Sequence, residues 1–382
     1  MSLPEEIVGE ILVRVRVAGD LFRCARTCSS WSRLADDVRR HRWPGHASFL
    51  SGFLTRKSFA QSLLPAPGSV FGPDRRPLAS FFPDAVTRHR LKRATPLATR
   101  HGLLLVRLHS SKAAVRLAVC NLLAGTCDVL PNLDGTKYRD IGYAILTRSD
   151  CSPDGNKEQP SSLPTGYSPL FKVLVICNNI DDQQIPCTLY TFSLSDARWN
   201  TPRNICGLPM HANAVVCRGT AHWLVWCKST EDHVNRLHTL DVDARTCHVS
   251  LTKIVIPTQR HLSGTCDGPY LSVAASGRLS LLYLQRPGLQ LKICVRQDKD
   301  GRDNGGRWLW SRVVELKPPK QFQAERMHLT FLAEKGGMLL VKDSKKNVYV
   351  ADLKTGVMEW LMYHNHVTGQ KIVPYEIYWP TV

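Results

Sequence analysis

The sequence lacks the compact motifs by which many enzymes are recognised. It has no Gly-x-Ser-x-Gly nucleophile elbow, no Gly-x-x-x-x-Gly-Lys phosphate loop and no His-Glu-x-x-His zinc motif. Its histidines show no ligand spacing, since they fall on different predicted strands and loops, at His211, His222, His238 and His248. We therefore expect no catalytic residue and predict that the chain is not an enzyme.

Paired cysteines and long apolar runs are also missing. The 13 cysteines include no Cys-x-x-Cys pair, and most of them lie in apolar, strand-like segments, as small buried hydrophobes do. No apolar run approaches the ~20 residues needed to span a bilayer, and the first residues are acidic and helix-like rather than signal-like. We expect no metal, no cofactor, no membrane contact, and a location in the cytoplasm and/or nucleus.

Acidic residues are scarce relative to basic ones. The chain has 50 Lys and Arg against 32 Asp and Glu, a net charge of +18. The basic residues are densest at Arg39–Arg42 and Arg88–Arg93. Such runs bind nucleic acid or acidic proteins, or are simply solvated, and aromatic residues do not interleave with them as stacking platforms would. Nucleic-acid binding is therefore the alternative function rather than the first one.

The first forty residues have the apolar spacing of three short helices. In the first helix an apolar residue recurs every three to four positions, at Ile7, Val8, Ile11, Leu12 and Val15. Gly19-Asp20 interrupts the pattern and predicts the start of a second helix. Ser29 or Ser30 is predicted to cap a third helix that carries Trp31. A module of this size is too small to be comfortably stable alone, so we expect part of its apolar surface to face a partner protein.

These residues together resemble the F-box, over residues 2–42. The resemblance implies docking onto a Skp-type adaptor, which carries the chain to the cullin and RING subunits of an SCF ubiquitin ligase. It assigns adaptor binding to Leu3, Pro4, Ile7, Ile11, Leu12, Val15, Leu21, Cys28, Trp31 and Leu34. Large apolar side chains are the usual centres of interface energy, so Trp31 and the Ile11–Leu12 pair are the expected anchors.

Short β-like runs dominate the rest of the chain. Residues 43–99, rich in Pro, Arg and Phe, read as a connector with one or two strands, such as Ala47–Leu54. Further strands are predicted at Leu103–Leu108, Val115–Cys120, Lys172–Cys177, Leu189–Phe192, Ala221–Cys227, Leu279–Leu284, Gln290–Val295, Met338–Val341 and Asn347–Ala351.

Parts of this region repeat. Asn121–Val129, Asp241–Val249 and Asp352–Trp360 align as a polar stop, a tight turn and a returning strand, and Ser193–Trp199 is a looser copy. A period of roughly 50 to 70 residues is what β-propeller blades require, because each blade buries its faces against its neighbours. Five blades are visible, and the connector strand with Tyr375–Trp379 could close a sixth.

This layout resembles the F-box-associated, kelch-like propellers of plant-type F-box proteins. The predicted fold is α+β and multidomain, with a three-helix F-box followed by an all-β propeller of five or six blades. The predicted limits are residues 1–42 for the F-box, 43–99 for the connector and 100–382 for the propeller.

The two resemblances together imply a substrate-receptor subunit of an SCF ubiquitin ligase, whose propeller captures an unknown target protein. Its alternatives are a basic nucleic-acid-binding propeller protein and, last, a propeller enzyme. Basic loop residues favour an acidic or phosphorylated target surface. The predicted target-binding residues are Arg203, His211, Lys228, Arg260, His261, Arg286, Lys320 and Lys345.

Overall fold

Helices come first and antiparallel sheets follow, in the order that the sequence predicts. A computed structural model describes residues 3–15, 18–42, 48–57, 60–66, 69–109, 115–133, 138–151, 171–179, 187–193, 196–200, 202–205, 208–228, 235–255, 269–274, 276–285, 289–297, 307–319, 329–363 and 372–379. The chain divides into two units. The terminal unit comprises Met1–Asn132, Asn156–Pro169 and Gln370–Val382, and the central unit comprises Leu133–Gly155 and Leu170–Gly369.

The three predicted helices are confirmed. They are α1 (Glu5–Arg14), α2 (Ala18–Ala25) and α3 (Ser29–Arg42). The predicted start of the second helix at Gly19-Asp20 is wrong, because α2 already contains both residues. Asp20 instead lies in the first turn, where a negative charge suits the helix dipole and forms an ion pair with Arg23. Among the described helices, none has the length and apolarity needed to cross a membrane.

Two four-stranded sheets complete the terminal unit. A 3₁₀ turn (Leu78–Phe81) and helix α4 (Ala85–Leu91) lie between them in the chain. Asp84 caps α4, because its carboxylate accepts hydrogen bonds from the N–H groups of Val86 and Thr87. Sheet 1, in the order β26-β1-β2-β3, contains β1 (Ser48–Lys57), β2 (Ala60–Pro65), β3 (Arg76–Pro77) and β26 (Val373–Tyr378). Sheet 2, in the order β4-β5-β6-β7, contains β4 (Thr95–Arg100), β5 (Leu103–Arg107), β6 (Leu117–Asn121) and β7 (Thr126–Val129).

Sheet 1 joins an early strand to a late one. β1 pairs antiparallel with β26, from Ser48 opposite Tyr378 to Leu54 opposite Val373. The register shifts at Gly52, where an added Cβ would come within 2.5 Å of the Leu64 carbonyl oxygen. The sequence-based pairing of the connector strand with the C-terminal segment is therefore confirmed, and it raises the blade-like sheets from five to six.

The central unit contains the other four sheets and a one-turn helix, α5 (Arg148–Cys151). Sheet 3 contains β8 (Tyr138–Thr147), β9 (Phe171–Asn179), β10 (Cys187–Ser193), β11 (Arg198–Trp199) and β12 (Arg203–Ile205). Sheet 4 contains β13 (Leu208–Pro209), β14 (Val215–Cys217), β15 (Thr220–Lys228), β16 (Asn235–Asp243) and β17 (Val249–Lys253). Sheet 5 contains β18 (Tyr270–Val273), β19 (Leu279–Gln285), β20 (Gln290–Gln297) and β21 (Arg307–Glu315), and sheet 6 contains β22 (Thr330–Lys335), β23 (Met338–Lys342), β24 (Asn347–Asp352) and β25 (Met358–Tyr363).

The repeated segments form equivalent turns into the outer strands of sheets 2, 4 and 6. In two of them Asn121 and Asp352 cap the turn by accepting backbone N–H hydrogen bonds. In the middle copy the capping residue is Asp243 rather than Asp241, so that copy is shifted by two residues from the sequence alignment. Asp241 is unavailable because His222 and Thr252 hold its carboxylate inside the sheet.

One apolar core extends from the helices into sheets 1 and 2. It includes residues of α1, α2, α3, both sheets and the segment after β26. Phe22 of α2 packs edge-on against Trp379 with ring centroids 5.5 Å apart, and the Arg39 guanidinium lies over the same indole. The helices are therefore part of the terminal unit's hydrophobic core.

Candidate interaction surfaces

Helix α1 is apolar on two adjacent faces. Val8 and Leu12 are buried in the terminal unit's core. Leu3, Ile7 and Ile11, spaced four residues apart, are 54%, 47% and 40% exposed. An exposed apolar row beside a buried one is typical of a helix that docks a partner while it packs on its own domain.

The predicted adaptor residues divide between surface and core. Leu12 and Leu21 are buried, so they support the helices from within and are not available to a partner on this surface. Val15, Trp31 and Leu34 are half-buried and pack against the same core. The exposed members are Leu3, Pro4, Ile7, Ile11 and Cys28, and Val13, which the sequence analysis did not include, is 53% exposed.

Polar contacts fix α1 against α3. Arg33 donates to both oxygens of the Glu5 carboxylate at 2.7 and 2.6 Å, and Ser30 donates to it at 3.0 Å. These hydrogen bonds, that of Arg33 first, hold the pKa of Glu5 below its ordinary value. At the other end of α1, Arg42 donates to the carbonyl oxygens of Val13 and Val15, where the helix dipole favours a cation.

The first basic run is largely engaged within the chain. Asp36, almost fully buried, accepts from Arg39 at 2.8 Å and from Arg40 at 2.5 Å. Together with Arg42, these contacts account for three of the four residues of Arg39–Arg42. The second run differs, because Arg88, Arg90 and their basic neighbours at the end of α4 are exposed.

The predicted target-binding residues fall on separate sheets. Arg203, on β12, donates to the Cys247 carbonyl oxygen at 2.9 Å, in the turn between β16 and β17. Lys345 is exposed in the turn between β23 and β24. Lys228 is the last residue of β15, and its side chain lies outside the described residues. Arg260, His261, Arg286 and Lys320 lie outside the described residues altogether.

His211 has a packing role between sheets 4 and 5. Its Nε2 lies 3.0 Å from the Pro269 carbonyl oxygen, and its ring stacks on Tyr270 at 4.9 Å. Burial lowers the pKa of His211, against the opposing effect of the Pro269 hydrogen bond. Tyr270 in turn contacts Phe331 of sheet 6, with ring centroids 6.0 Å apart. This row of rings along the first strands of three sheets was not foreseen from the sequence.

The arrangement closest to catalytic chemistry is a buried His–Asp pair. His222 Nδ1 lies 2.7 Å from Asp241 Oδ1, and Thr252 donates to Asp241 Oδ2 at 2.8 Å. Arg296 of sheet 5 lies 3.6 Å from the same carboxylate. Burial opposes ionisation of Asp241, but the hydrogen bonds from His222 and Thr252 prevail and lower its pKa. Because Thr252 bonds to the carboxylate rather than to the imidazole, the geometry is that of a structural polar network and not of an activated nucleophile.

Exposed aromatic residues mark the outer strands of sheets 5 and 6. Trp310 on β21 is 39% exposed, and Trp360 and Tyr363 on β25 are more than half exposed. Lys292 lies over the Trp310 ring, 5.5 Å from its centroid. Large amphipathic rings at a surface are common anchors of protein interfaces. These residues form the apolar candidate surface of the central unit.

Across the described residues, no cluster of three or more His, Cys, Asp or Glu side chains is arranged to hold a metal ion. Comparison with known families gives two matches. The profile of the F-box-like family matches residues 1–42, and that of the F-box associated beta propeller domain matches residues 99–377. A search of curated proteins finds no match.

Solved structures of similar shape are all distant. The Dos1 propeller is 14% identical over 84% of this chain and 70% of its own, with a TM-score of 0.36. The β-propeller domain of Myceliophteria thermophila Cps50 (Swd1) is 10% identical over 74% and 89%, with a TM-score of 0.39. A mutant of the α-L-arabinofuranosidase Arb93A of Fusarium graminearum, solved with an iminosugar inhibitor, is 9% identical over 70% and 79%, with a TM-score of 0.37.

Proposed function

Because the chain belongs to the F-box proteins with an F-box-associated β-propeller, we propose that it is the substrate-receptor subunit of an SCF ubiquitin ligase. The F-box binds a Skp-type adaptor, which links it to cullin and RING subunits, and the propeller holds a target protein. The chain itself is not catalytic in this proposal. It acts in the cytoplasm and/or nucleus, where these partners would meet it.

The observation that carries the adaptor role is the exposed apolar row on α1. Leu3, Ile7 and Ile11 present three aliphatic side chains on one side of a short helix whose other apolar side is already buried. Leu12 and Trp31, which the sequence made the anchors, contribute from within, by holding α1 and α3 in place. We therefore assign the direct contacts to the exposed row.

The mechanism follows from holding two proteins together. A target bound by the propeller is presented to a ubiquitin-charged enzyme at a high effective concentration, which accelerates transfer to its lysines without chemistry on this chain. Helices α1 to α3 share a core with sheets 1 and 2. An adaptor bound to α1 is therefore connected to these sheets through packed side chains rather than through a free linker.

Target capture is proposed for the central unit. Exposed Lys345 and the basic loop residues favour an acidic or phosphorylated surface, while Trp310 and Trp360 supply aromatic contact area. Arg203 has at least one donor occupied by the Cys247 carbonyl. His211 supports the interior of this unit and is a weaker candidate for target contact.

The adaptor assignment is tested with Ile7→Asp and Ile11→Asp combined. We expect loss of at least ~2 kcal/mol of binding free energy to a Skp-type adaptor, about a 30-fold rise in Kd, because two contact side chains become charged. The matched control is Val86→Asp on α4, which is similarly exposed at 57% but lies on another helix. Calorimetric titration of the folded variants measures the difference. Unchanged affinity of the double variant would contradict the assignment.

A further inference from the structure

Two thiols meet across the hairpin formed by β6 and β7. Cys120 on β6 and Cys127 on β7 are direct partners in the antiparallel register. Their sulfur atoms lie 3.4 Å apart, with the Cys120 thiol as donor and the Cys127 sulfur as acceptor. Both belong to the terminal unit, and this pair is independent of the proposed ligase function.

The backbone at this pair suits a cross-strand bond. The Leu130 N–H donates to the Leu117 carbonyl oxygen at 2.9 Å, so the pair they form is a hydrogen-bonded one. Hydrogen-bonded and non-hydrogen-bonded pairs alternate along an antiparallel ladder, which makes Cys120 and Cys127, three steps along, a non-hydrogen-bonded pair. In such pairs the Cα atoms are about 4.5 Å apart, inside the ~4.4 to 6.8 Å range of disulfides. A bond requires side-chain rotation but no change of register.

The equivalent places in the other hairpins show that packing alone does not require two cysteines. With Asn121, Asp243 and Asp352 as the equivalent turn residues, the cross-strand pair is Val242 with Val249 in sheet 4 and Ala351 with Met358 in sheet 6. Simple apolar pairs fill this position in both. A thiol on each strand therefore adds a chemical property that the fold does not need.

The two thiols differ in environment. Cys120 is fully buried in the terminal unit's core, whereas Cys127 is half-buried. The hydrogen bond from Cys120, with a smaller contribution from Arg90, lowers the pKa of Cys127 despite partial burial. The same hydrogen bond and full burial raise the pKa of Cys120. The accessible thiol is thus the one that ionises first.

We propose that Cys120 and Cys127 form an oxidisable dithiol that a small disulfide such as oxidised glutathione converts into a cross-strand disulfide. The Cys127 thiolate attacks one sulfur of the small disulfide, forms a mixed disulfide and releases one small thiolate. Cys120 then loses its proton, attacks Cys127 Sγ and releases the second small thiol. Two protein thiols are oxidised by two electrons, and one small disulfide is reduced to two thiols.

The test equilibrates the full chain with oxidised and reduced glutathione at graded ratios, followed by acid quenching, alkylation with N-ethylmaleimide and peptide mass spectrometry. In the wild type, Cys120 and Cys127 should lose alkylation together, as one linked peptide lighter by two hydrogen atoms. Cys217, a buried thiol that donates to the Gly277 carbonyl, is the internal control and should stay alkylated after unfolding.

Two variants separate the steps. In Cys120→Ser the mixed disulfide on Cys127 should persist, because the resolving thiol is missing. In Cys127→Ser the buried Cys120 should remain free of glutathione. A wild-type adduct on Cys127 as abundant as in Cys120→Ser, or oxidation of Cys217 at the same glutathione ratio, would overturn the proposal. Should a variant fail to fold, the linked wild-type peptide decides alone, its absence at every ratio being the contrary result.

Discussion

The terminal and central units hold their sheets together by different chemistry. In the terminal unit a continuous apolar core connects the three helices with sheets 1 and 2. In the central unit apolar clusters alternate with buried polar groups, such as the Asp241 network and Ser272, which donates to Glu334 between sheets 5 and 6. Apolar contacts are insensitive to pH, whereas buried ionisable groups are not. The two units should therefore respond differently to cavities and to acid.

The largest expected effect is a cavity in the terminal unit. Phe22→Ala should cost about 3 to 5 kcal/mol, because the ring is buried against Trp379. If the core is shared, amide hydrogen exchange should accelerate in α1 to α3, in β26 and in sheet 2 together. The control is Phe192→Ala in sheet 3, which should leave the helices protected. Faster exchange in the helices alone would show that they are a separate domain.

Asp241→Asn should have the next largest effect, about 1 to 3 kcal/mol at pH 7, because a buried acceptor of three partners is weakened. The pKa of Asp241 is lowered in the folded state. Its contribution is therefore present above the ordinary carboxyl pKa and lost as pH falls through the native value. Urea unfolding of both proteins at several pH values measures this, and their difference in stability should shrink in acid. A difference that is constant with pH would remove ionisation of Asp241 from the explanation.

His211→Gln should give a smaller, pH-dependent change in the central unit. Burial lowers the pKa of His211, so the unfolded chain binds the proton more tightly. Wild-type stability should thus fall as pH drops below about 6.5, by at most ~1.4 kcal/mol per pH unit for one proton. Thermal unfolding between pH 7.5 and 5.5 should show a shallower slope in the variant. Equal slopes would place the titration elsewhere.

The smallest expected effect is on nucleic acid binding. Arg39, Arg40 and Arg42 are engaged by Asp36 and by carbonyl groups of α1, so the terminal unit keeps only the exposed run around Arg88. We expect weak binding to duplex and single-stranded probes, with a steep salt dependence and no sequence preference. Titration at two salt concentrations checks this. A preference that survives physiological salt would favour the alternative function.

The sequence predicted most elements because their signals are local. Every strand run predicted between Leu103 and Ala351 overlaps an observed strand, since each is a short apolar segment bounded by turn residues. The first strands of sheets 5 and 6, β18 and β22, were missed, because mixed residues such as Ser272 and Glu334 become explicable only when a neighbouring sheet supplies the hydrogen bond. The shifted copy at Asp243 has the same origin, since its register depends on His222.

The adaptor surface shows a second limit. Periodicity identified α1 as apolar but could not tell which of its two apolar faces points inward, because Ile11 and Leu12 are adjacent in sequence and equally hydrophobic. Only the packing against the core separates them, with Leu12 buried and Ile11 exposed. The target surface was predicted from basic loops, several of which fall outside the described residues, and that assignment stays a prediction.

The pairing of β1 with β26 has a consequence for biosynthesis. On the ribosome, β1 emerges long before its partner, and at ~5 to 20 residues per second β26 follows roughly 15 to 60 seconds later. Until then β1 has one unpaired edge, and the core beneath the helices lacks Tyr375, Ile377 and Trp379. The N-terminal helices therefore gain their complete support only after translation has passed all six sheets. A truncated polypeptide would contain the whole F-box sequence and still lack its finished form.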